Sequence, residues 1–457
     1  MQKRALIVGI SGVIGRALAE QLKGEGWQVS GLSRGRGAIP DGCESLTADL
    51  TDAAAVNEAL KEVQVDALFF SVWSRQESEQ ANIRVNGAIV KNVIEALGER
   101  LNGSHVALVT GLKHYLGPFE AYGKGAVPVT PFREEQGRQP VENFYYAQED
   151  ELFAGAEKYG YRWSVHRPHT IIGYALGNAM NMGQTLAVYA TLCREKGWPF
   201  IFPGSPEQWN GLADVTDAGL LAEQLSWAAQ SEQAANEDFN AVNGDVFRWN
   251  WLWPKLAAYF GIEAAAYPAS MMPLENRMQE AQAAWTEIAE KYQLREADIN
   301  KLASWWHTDA DLGRPMEAFT DMSKSRKAGF TGYRSTPDAF FALFDRLKQE
   351  KIIPRCLKHQ GVGGETALLV EREMAFHLIR GGLLQVADRR AQHLWDLHTL
   401  NPGGVLQRQA SGDQLLHQQA ALLRHLQPLP RRVVANVGGI AQHFDGLQPD
   451  IQHRTAG

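Results

Sequence analysis

Cysteine is scarce in this chain of 457 residues, and the three that occur, Cys43, Cys193 and Cys356, lie far apart in the sequence. An odd number of cysteines in no metal-ligand spacing argues against a disulfide framework and a zinc site, and it fits a reducing compartment. A basic excess is also missing, because 45 lysines and arginines face 52 aspartates and glutamates, for a formal net charge of -7. We therefore expect no nucleic-acid partner, since binding a phosphate backbone requires a basic face.

Targeting segments and long apolar runs are missing as well. The first four residues, Met-Gln-Lys-Arg, lead directly into a strand pattern without the apolar core of a signal peptide. No apolar run approaches the roughly 20 residues that span a bilayer. The sequence thus predicts a cytoplasmic protein with no membrane partner and no metal site.

Apolar runs alternate with helical patterns through the first part of the chain. Residues 5–10 form a continuous apolar run, as expected for a strand buried on both faces of a sheet. Further strands are predicted over 27–32, 66–72, 106–110 and 161–166, and helices over 16–23, 54–63, 86–97 and 144–158. This order predicts an α/β fold with a Rossmann-type, doubly wound parallel sheet, whose ligand crevice lies at the carboxyl ends of the strands.

The patterns also divide the chain into three parts. We predict an NAD(P)-binding Rossmann domain over 1–175 and a smaller, mainly helical substrate-binding cap over 176–354, partly interleaved with the sheet. After Pro354 the composition changes, because residues 355–457 hold eight of the thirteen histidines and ten arginines but only one lysine, Lys358. We interpret this C-terminal extension as a weakly ordered appendage or a read-through product rather than as a functional third domain.

A glycine-rich turn follows the first predicted strand and opens the first predicted helix. Gly9 permits the tight turn, Gly12 lets the backbone approach a pyrophosphate, and Gly15 lets the helix pack on the strand. The helix N-terminus then offers free N–H groups and the positive end of its dipole to the phosphates. The alternative is a purely structural glycine turn. The predicted cofactor contacts in this turn are Gly9, Ser11, Gly12, Val13, Ile14 and Gly15.

The end of the second predicted strand indicates which dinucleotide binds. An acidic residue there favours NAD, whereas this chain has Ser33-Arg34-Gly35-Arg36, and arginine pairs bidentately with a 2′-phosphate. The sequence therefore predicts NADP(H), the alternative being a solvated pair of surface arginines. Asp49 and Leu50 end a further predicted strand, between the strand over 27–32 and the helix over 54–63, where a carboxylate is placed to accept from the adenine amino group. A helix cap for the segment that starts at Thr51 is the competing role for nearby polar residues.

The short-chain dehydrogenases that share this glycine pattern use a tyrosine and a lysine four residues apart on one helical face. This chain lacks that pair, because Glu149 and Asp150 stand four residues after Tyr145 and Tyr146. A lysine occurs instead at Lys113, directly after the strand predicted over 106–110. That position lies at the carboxyl edge of the sheet, where the nicotinamide is expected.

Several motifs occur in the order found in one known family. They are Thr110-Gly111-Leu112-Lys113-His114-Tyr115-Leu116-Gly117-Pro118-Phe119, the double tyrosine within 143–150, Trp163-Ser164-Val165-His166-Arg167-Pro168, Asn243-Gly244-Asp245-Val246-Phe247 and Lys351-Ile352-Ile353-Pro354. In these motifs the chain strongly resembles the progesterone 5β-reductase and iridoid synthase-like family of atypical short-chain reductases. The resemblance covers about residues 3–354, and the family has no counterpart to the C-terminal extension over 355–457.

The resemblance implies the NADPH-dependent reduction of the carbon–carbon double bond of enones and enals. The family's catalytic tyrosine maps to Tyr145 and its lysine to Lys113. A hydride then reaches the β-carbon of the substrate, Tyr145 stabilises the resulting enolate, and Lys113 orients Tyr145 and biases its pKa. Three alternatives stay open: Tyr145 is a core tyrosine, Tyr146 acts in its place, or Lys113 is a surface residue.

The resemblance also implies further site residues. Trp73 matches a family tryptophan beside the cofactor, with core packing as the alternative, and Val72 stands where the family has threonine. The family often has two adjacent arginines where Gly35 here separates Arg34 from Arg36. The cofactor-binding set is completed by Ser33, Arg34, Asp49, Leu50, Val72, Trp73, Thr110, Lys113, Tyr145, Pro168 and Ile171. The predicted substrate-binding residues are Phe119, Tyr122 and Tyr146, for which loop packing is the alternative.

Two other functions compete with the 1,4-reduction of activated alkenes. One is a short-chain carbonyl reductase or epimerase-like enzyme on the same core, against which the missing tyrosine–lysine spacing argues. The other is a non-catalytic dinucleotide sensor that regulates a partner. The expected substrate is a small apolar enone or enal, and the sequence is also compatible with a homodimer.

Overall fold

The strands of the first half of the chain are short, apolar and separated by helices. The structure is a computed structural model that describes residues 2–35, 37–118, 121, 124, 128–177 and 180–355. Within them the strands are β1 (Arg4–Val8), β2 (Gln28–Ser33), β3 (Glu44–Thr47), β4 (Ala67–Phe70), β5 (His105–Val109), β6 (Arg162–Pro168), β7 (Ile171–Ile172), β8 (Thr216–Asp217) and β9 (Glu237–Ala241).

Seven of these described strands form one sheet in the order β3-β2-β1-β4-β5-β6-β9, and every neighbouring pair is parallel. The strand order reverses at β1, which lies between β2 and β4. A parallel sheet of this order opens a ligand crevice at the carboxyl ends beside that reversal. The strands β7 and β8 pair separately in a second, two-stranded sheet.

Helices connect the strands and cover the sheet. In the described residues they are α1 (Val13–Gly24), α2 (Ala53–Leu60), α3 (Glu79–Leu97), α4 (Lys113–Leu116), α5 (Phe144–Tyr159), α6 (Met182–Lys196), α7 (Pro206–Asn210), α8 (Ala218–Gln230), α9 (Trp249–Tyr259), α10 (Leu274–Arg277), α11 (Ala281–Tyr292), α12 (Trp305–Leu312), α13 (Ser323–Lys327) and α14 (Thr336–Gln349). None of them combines the length and the hydropathy needed to cross a bilayer.

The central strands are buried on both faces because helices cover both. Leu6 and Val8 of β1 pack in one core with residues of α2, α3 and α5. Ala5 and Ile7 point to the other face and pack with residues of α1 and α8. This sandwich explains why β1 is a continuous apolar run rather than an alternating one.

A second large core lies outside the sheet. It is formed by α6, α9, α11 and α14 around Trp249, Trp253 and Trp285, which are almost completely buried. These helices are not consecutive in the chain, because β9 lies between α6 and α9 in sequence and pairs with β6 at the sheet edge. The prediction of a doubly wound parallel sheet with additional helices is confirmed, whereas the domain boundary at residue 175 stays a prediction.

Individual boundaries differ from the predicted ones for identifiable reasons. The helix predicted to start at 86 begins at Glu79, where Ser78 caps it. The apolar pattern missed its first turns because, apart from Ala81, they bury the polar residues Asn82 and Asn86. The strand predicted over 66–72 ends at Phe70. The extension over 355–457 lies outside the described residues except for Arg355, so its predicted order stays untested.

Candidate active site

The turn between β1 and α1 leaves no room for side chains at two of its glycines. Gly9 has a φ of 92°, which L-residues rarely adopt, and a Cβ placed there would lie 2.8 Å from the Val72 Cβ. A Cβ on Gly15 would overlap the carbonyl oxygen of Gly9. Only glycine therefore lets α1 start this close to the end of β1.

The N-terminus of α1 receives no cap from a side chain. Gly12 precedes the helix without a side-chain hydrogen bond, and the first turn holds no acidic residue. The neighbouring α2 differs, because the Asp52 carboxylate accepts hydrogen bonds from the N–H groups of Ala54 and Ala55. The first N–H groups of α1 and the positive end of its dipole thus suit an external anion such as a pyrophosphate.

The end of β2 places an arginine in solvent beside this turn. Ser33 is the last residue of β2 and is buried, and its Oγ accepts a hydrogen bond from the Gly35 N–H (3.2 Å). Arg34 follows with an exposed side chain. Arg36, the second arginine of the motif, lies outside the described residues.

Asp49 and Leu50 lie just beyond the end of β3. The Asp49 carboxylate accepts hydrogen bonds from the N–H and hydroxyl of Thr51 (2.9 and 2.7 Å). These bonds, and more weakly the charge of Arg34, lower the pKa of Asp49. The capping role left open near Thr51 belongs to Asp52, while Leu50 is buried.

An asparagine of α3 holds the loop that follows β4. Asn86 is completely buried, and its Oδ1 accepts from the Ser74 N–H (2.7 Å) while its Nδ2 donates to the Ser74 carbonyl (2.9 Å). These bonds fix the backbone next to Trp73, whose ring stacks on Phe144 with centroids 5.4 Å apart. Trp73 is half-buried at the carboxyl edge of β4, next to Val72, which contacts the glycine turn.

Lys113 and Tyr145 come from separate segments and meet near the end of β5. Lys113 is buried, and its Nζ lies 5.0 Å from the ring centroids of both Trp73 and Phe144. The Tyr145 ring lies 4.4 Å from the Phe144 ring. A Cβ placed on Gly111 would lie 3.0 Å from the Tyr145 hydroxyl oxygen, so this hydroxyl reaches the carboxyl end of β5. A buried ammonium group and a phenol therefore share one aromatic cluster where the crevice is expected.

One side chain links the backbones of these two residues. Asn143 caps α5, where its Oδ1 accepts from the Tyr145 N–H (3.0 Å). Its Nδ2 donates to the Lys113 carbonyl (2.7 Å), and the side chain is buried. The next N–H, that of Phe144, donates to the Glu79 carboxylate (2.7 Å). The first turn of α5 is thereby fixed to both α4 and α3.

The second tyrosine of the pair occupies a different environment. Tyr146 is buried, and its hydroxyl donates to the His114 carbonyl (2.7 Å) and accepts from the Gln139 N–H (2.9 Å). With its hydroxyl bonded to two backbone groups, Tyr146 is less suited than Tyr145 to bind a substrate oxygen. The other two predicted substrate-binding residues, Phe119 and Tyr122, lie outside the described residues.

Glu149 stands four residues after Tyr145, where a typical short-chain dehydrogenase has its lysine. It is buried and pairs with Arg138, with Nη2 3.0 Å from Oε2. Burial raises the pKa of Glu149, and the charges of Arg167 and Arg138 oppose that rise. Burial also lowers the pKa of the adjacent His114 to about 3. This position therefore belongs to a buried charge cluster behind α4.

The remaining predicted cofactor residues also lie at the carboxyl edge. Thr110 follows β5 and donates its N–H to the His166 carbonyl (2.8 Å). Pro168 is the last residue of β6, and Ile171 begins β7. Within the described residues, no group of three or more histidine, cysteine or acidic side chains is placed to hold a metal ion.

The sequence arguments missed Asn143, Asn86 and Phe144, which hold the predicted residues in place. Asn143 carried a readable signal, because asparagine directly before a helical pattern is a typical N-cap. Asn86 carried none, since its partner Ser74 is recognisable only once the loop and α3 are placed together.

Comparison with known proteins gives the family of the chain. Residues 41–354 match the model of the PRISE-like Rossmann-fold domain. The chain is 37% identical over 367 residues to an (S)-8-oxocitronellyl enol synthase of Camptotheca acuminata, covering 77% of this chain and 94% of that protein. It is also 37% identical over 363 residues to a 3-oxo-Δ(4,5)-steroid 5β-reductase of Arabidopsis thaliana, covering 77% and 93% of the two chains.

Solved structures share the fold at much lower identity. The UDP-glucose 4-epimerase of Thermus thermophilus in complex with NAD has a TM-score of 0.52 at 17% identity and covers 76% of this chain and 99% of its own. The Bordetella bronchiseptica enzyme WbmG in complex with NAD and UDP has a TM-score of 0.54 at 13% identity, with coverage of 77% and 97%. At these identities the likeness concerns the fold alone, whereas the family match and the plant relatives reach further. The chain therefore belongs to the PRISE-like Rossmann-fold family, the progesterone 5β-reductase and iridoid synthase group that its lysine and double-tyrosine motifs predict.

Proposed function

We propose that this chain reduces the carbon–carbon double bond of enones and enals with NADPH. The observation that carries the proposal is the meeting of Lys113 and Tyr145 in one aromatic cluster at the carboxyl end of β5. The chain is an oxidoreductase by family, and one of its relatives is named as a 5β-reductase of 3-oxo-Δ(4,5)-steroids, which are enones.

The residues at the carboxyl edge fit a nicotinamide dinucleotide. The uncapped N-terminus of α1 suits the pyrophosphate, and the crowded glycine turn brings backbone rather than side chains to it. Exposed Arg34 at the end of β2 supports a 2′-phosphate, and hence NADPH over NADH. When bound, this cofactor supplies a hydride.

The chain's own residues act on the carbonyl side of the substrate. Hydride addition at the β-carbon moves the π electrons of the double bond onto the carbonyl oxygen and gives an enolate. The Tyr145 hydroxyl donates a hydrogen bond to that oxygen, an interaction worth about 3 kcal/mol in comparable oxyanion sites. The Lys113 ammonium group adds a positive charge to the same cluster, and a solvent proton at the α-carbon completes the reduction.

The substrate we propose is small and apolar, since Trp73 and Phe144 flank the reacting groups and aromatic walls favour apolar ligands. Steroid and monoterpene-sized carbonyl compounds both meet this description. A homodimer and a cytoplasmic location stay predictions, the first of which light scattering measures directly.

The competing carbonyl reductase function has less support. It calls for a lysine four residues after the tyrosine, and this chain has Glu149 there, buried against Arg138. A non-catalytic sensor would have no use for a phenol and an ammonium group in one cluster at the nicotinamide end.

The test is the oxidation of NADPH, followed by absorbance, with cyclohexenone and with progesterone as substrates. We expect turnover with both or one of them, with the saturated ketone identified by mass spectrometry. Tyr145→Phe should lower kcat by about a hundredfold, because it removes one oxyanion donor, and should change the Kd for NADPH far less, because the other predicted cofactor-binding residues stay in place.

The matched control is Tyr159→Phe, the same substitution at the opposite end of α5. It should retain the wild-type kcat, and a chain truncated after Pro354, where the family match ends, should retain it as well. Reduction at the carbonyl to an allylic alcohol would favour the carbonyl reductase, and NADPH binding without turnover of any enone or enal would favour the sensor.

A further inference from the structure

A buried network of four ionisable side chains begins at His169, the residue directly after β6. The His169 Nδ1 lies 2.6 Å from an oxygen of Asp214, and the His169 Nε2 lies 2.6 Å from Nη1 of Arg314. The other terminal nitrogen of Arg314 donates to Asp311 (2.6 Å). All four side chains are less than 10% exposed, at 4%, 1%, 7% and 7%.

The hydrogen bonds dictate the state of the imidazole. A guanidinium only donates, so the His169 Nε2 must accept from Arg314 and the Nδ1 must carry the hydrogen that Asp214 accepts. The second oxygen of Asp214 accepts from the N–H and hydroxyl of Thr320 (2.7 and 2.8 Å). His169 is therefore a neutral ring locked in one tautomer between a carboxylate and a guanidinium.

The residue after this histidine has an unusual backbone. Thr170 has a φ of 37°, a strained conformation for a β-branched residue. Its carbonyl accepts from the Thr216 N–H (3.3 Å), and its hydroxyl donates to Asp311 (3.4 Å). The His169 N–H donates to the Thr216 hydroxyl (2.9 Å). Strain of this kind persists only where the surroundings hold it, and it concentrates at functional sites.

The turn over residues 168–171, which these hydrogen bonds hold, lies next to the Tyr145 hydroxyl. A Cβ placed on Gly111 would lie 3.4 Å from the Pro168 carbonyl oxygen and 3.0 Å from the Tyr145 hydroxyl. The turn therefore begins at the position where the ends of β5 and β6 face the tyrosine. Arg314 and Asp311 hold the turn through His169 and Thr170. Asp311 lies in α12, and Arg314 lies two residues after the end of α12.

We propose that His169 and Arg314 are positioning residues, which clamp the turn from Pro168 to Ile171 as a rigid wall for the nicotinamide ring. The assignment rests on the proposed function, because it assumes that a nicotinamide occupies the carboxyl edge. Neither residue touches the reacting atoms; both act through the strained backbone of Thr170.

The choice of charged groups supports a positioning role over a stabilising one. Buried ion pairs add little net stability compared with apolar packing of the same volume, but their directional bonds specify one arrangement. Removing one member should therefore change the alignment of the wall as well as the stability of the fold.

The test compares two buried histidines replaced in the same way. His169→Asn keeps a donor for Asp214 but leaves Nη1 of Arg314 without the acceptor that the imidazole provides. His105→Asn is the matched control, because His105 is buried at the opposite, amino edge of the sheet and bonds Ser164 (2.8 Å). The measurements are Tm, the Kd for NADPH, kcat and the fluorescence of the bound nicotinamide.

We expect both variants to lower Tm, but only His169→Asn to lower kcat, by about tenfold, since small misplacements of reacting groups cost at least that much. The KM for the enone should change by less than about twofold, because the substrate contacts are untouched. The bound-nicotinamide emission should shift in His169→Asn and stay as in the wild type in His105→Asn. Equal kcat and emission changes in the two variants, or none in His169→Asn, would overturn the proposal.

A second variant covers the case in which His169→Asn does not fold. Thr170→Gly relieves the positive φ and leaves the bonds among His169, Asp214 and Arg314 in place, although it removes the Thr170 hydroxyl bond to Asp311. It should still shift the emission and lower kcat, and unchanged emission and kcat in this variant would show that the held conformation has no role. Because emission reports on bound NADPH without any enone, a wild type that binds NADPH but reduces no enone contradicts the proposed function and leaves this test intact.

Discussion

At the amino edge of the sheet, polar side chains close their hydrogen bonds on one another, whereas the carboxyl edge also combines an uncapped helix N-terminus with a buried lysine among aromatic rings. Arg4 donates to both oxygens of Asp66 (3.1 Å each) across the starts of β1 and β4. His105, Ser164 and His166 form a chain of hydrogen bonds that starts from the first residue of β5 (2.8 and 2.9 Å). Each of these groups has a protein partner, and their work is structural.

The carboxyl edge of the same strands is built differently. There α1 begins without a side-chain cap, Lys113 is buried among aromatic rings, and Thr170 is held at a positive φ. These features cost stability and are tolerated only where they serve another purpose. All strands of a parallel sheet run in the same direction, so their amino ends form one edge and their carboxyl ends the other. The same strands can therefore carry structural hydrogen bonds at one edge and the proposed site at the other.

The largest expected effect concerns the glycine turn. Gly15→Ala should weaken NADPH binding by tenfold to about a hundredfold, because overpacking by one methyl group costs about 1–3 kcal/mol and displaces the turn. Gly24→Ala, at the end of the same helix, meets no atom within 4 Å and should leave binding unchanged. Isothermal titration with NADPH measures both, and equal affinities for the two variants would remove the turn from the cofactor site.

The next effect separates two N-caps. Asp52→Ala should lower the free energy of unfolding by about 1 kcal/mol, as a lost N-cap does. Asn143→Ala should lower it by more, because it also leaves the buried Lys113 carbonyl without this donor. Only Asn143→Ala should also lower kcat, by about tenfold, because only Asn143 bonds the Lys113 carbonyl as well. Urea denaturation and steady-state kinetics give the two quantities. An unchanged kcat in Asn143→Ala would mean that the cap does not position Lys113 and Tyr145 for the proposed reaction.

The smallest effect tests through pH the two buried histidines bonded to Ser164, His105 at the amino edge and His166 further along β6. Burial lowers the pKa of His105 to about 3 and that of His166 to about 4, from an ordinary 6.5. The unfolded chain therefore binds more protons below pH 6.5, so the free energy of unfolding falls as the pH falls toward these values. Each such histidine contributes a slope of up to about 1.4 kcal/mol per pH unit. Glu149, whose pKa is raised by burial, works in the opposite direction.

The wild type is best compared with His105→Asn by urea denaturation at several pH values. Between about pH 6.5 and about pH 5 the variant should lose about 2 kcal/mol less stability than the wild type. An identical pH dependence in the two proteins would show that this edge is hydrated and open rather than closed.

The sequence was sufficient where one residue type satisfies one local requirement. The continuous apolar run of β1 predicts burial on both faces, and the spacing of Gly9, Gly12 and Gly15 predicts backbone crowding that the structure shows at two of them. The fold class followed from such signals, because strand and helix alternate in sequence and a parallel sheet has few allowed connections.

The sequence was insufficient where a residue's role depends on a distant partner. His169 reads as one more polar loop residue until Asp214 and Arg314, far along the chain, are placed beside it.

The early start of α3 was hidden for a related reason. Asn82 and Asn86 are buried because they bond the loop at Gln76 and Ser74, and hydrophobic periodicity counts only apolar residues. The double role of Asn143 likewise appears only when α4 and α5 are adjacent.

The position of β9 in the sheet has a consequence for how the chain is made. Ser164 of β6 pairs with Glu237 of β9, and α1 packs against α8, so the sheet is completed only by residues beyond 217. While the ribosome adds the intervening residues, the outer edge of β6 has no partner strand in the nascent chain, and α1 lacks the helix α8 that packs against it. Exposed strand edges of this kind are sites of aggregation. Synthesis of this protein should therefore be most sensitive to chaperone supply while the ribosome translates the stretch from β6 to β9.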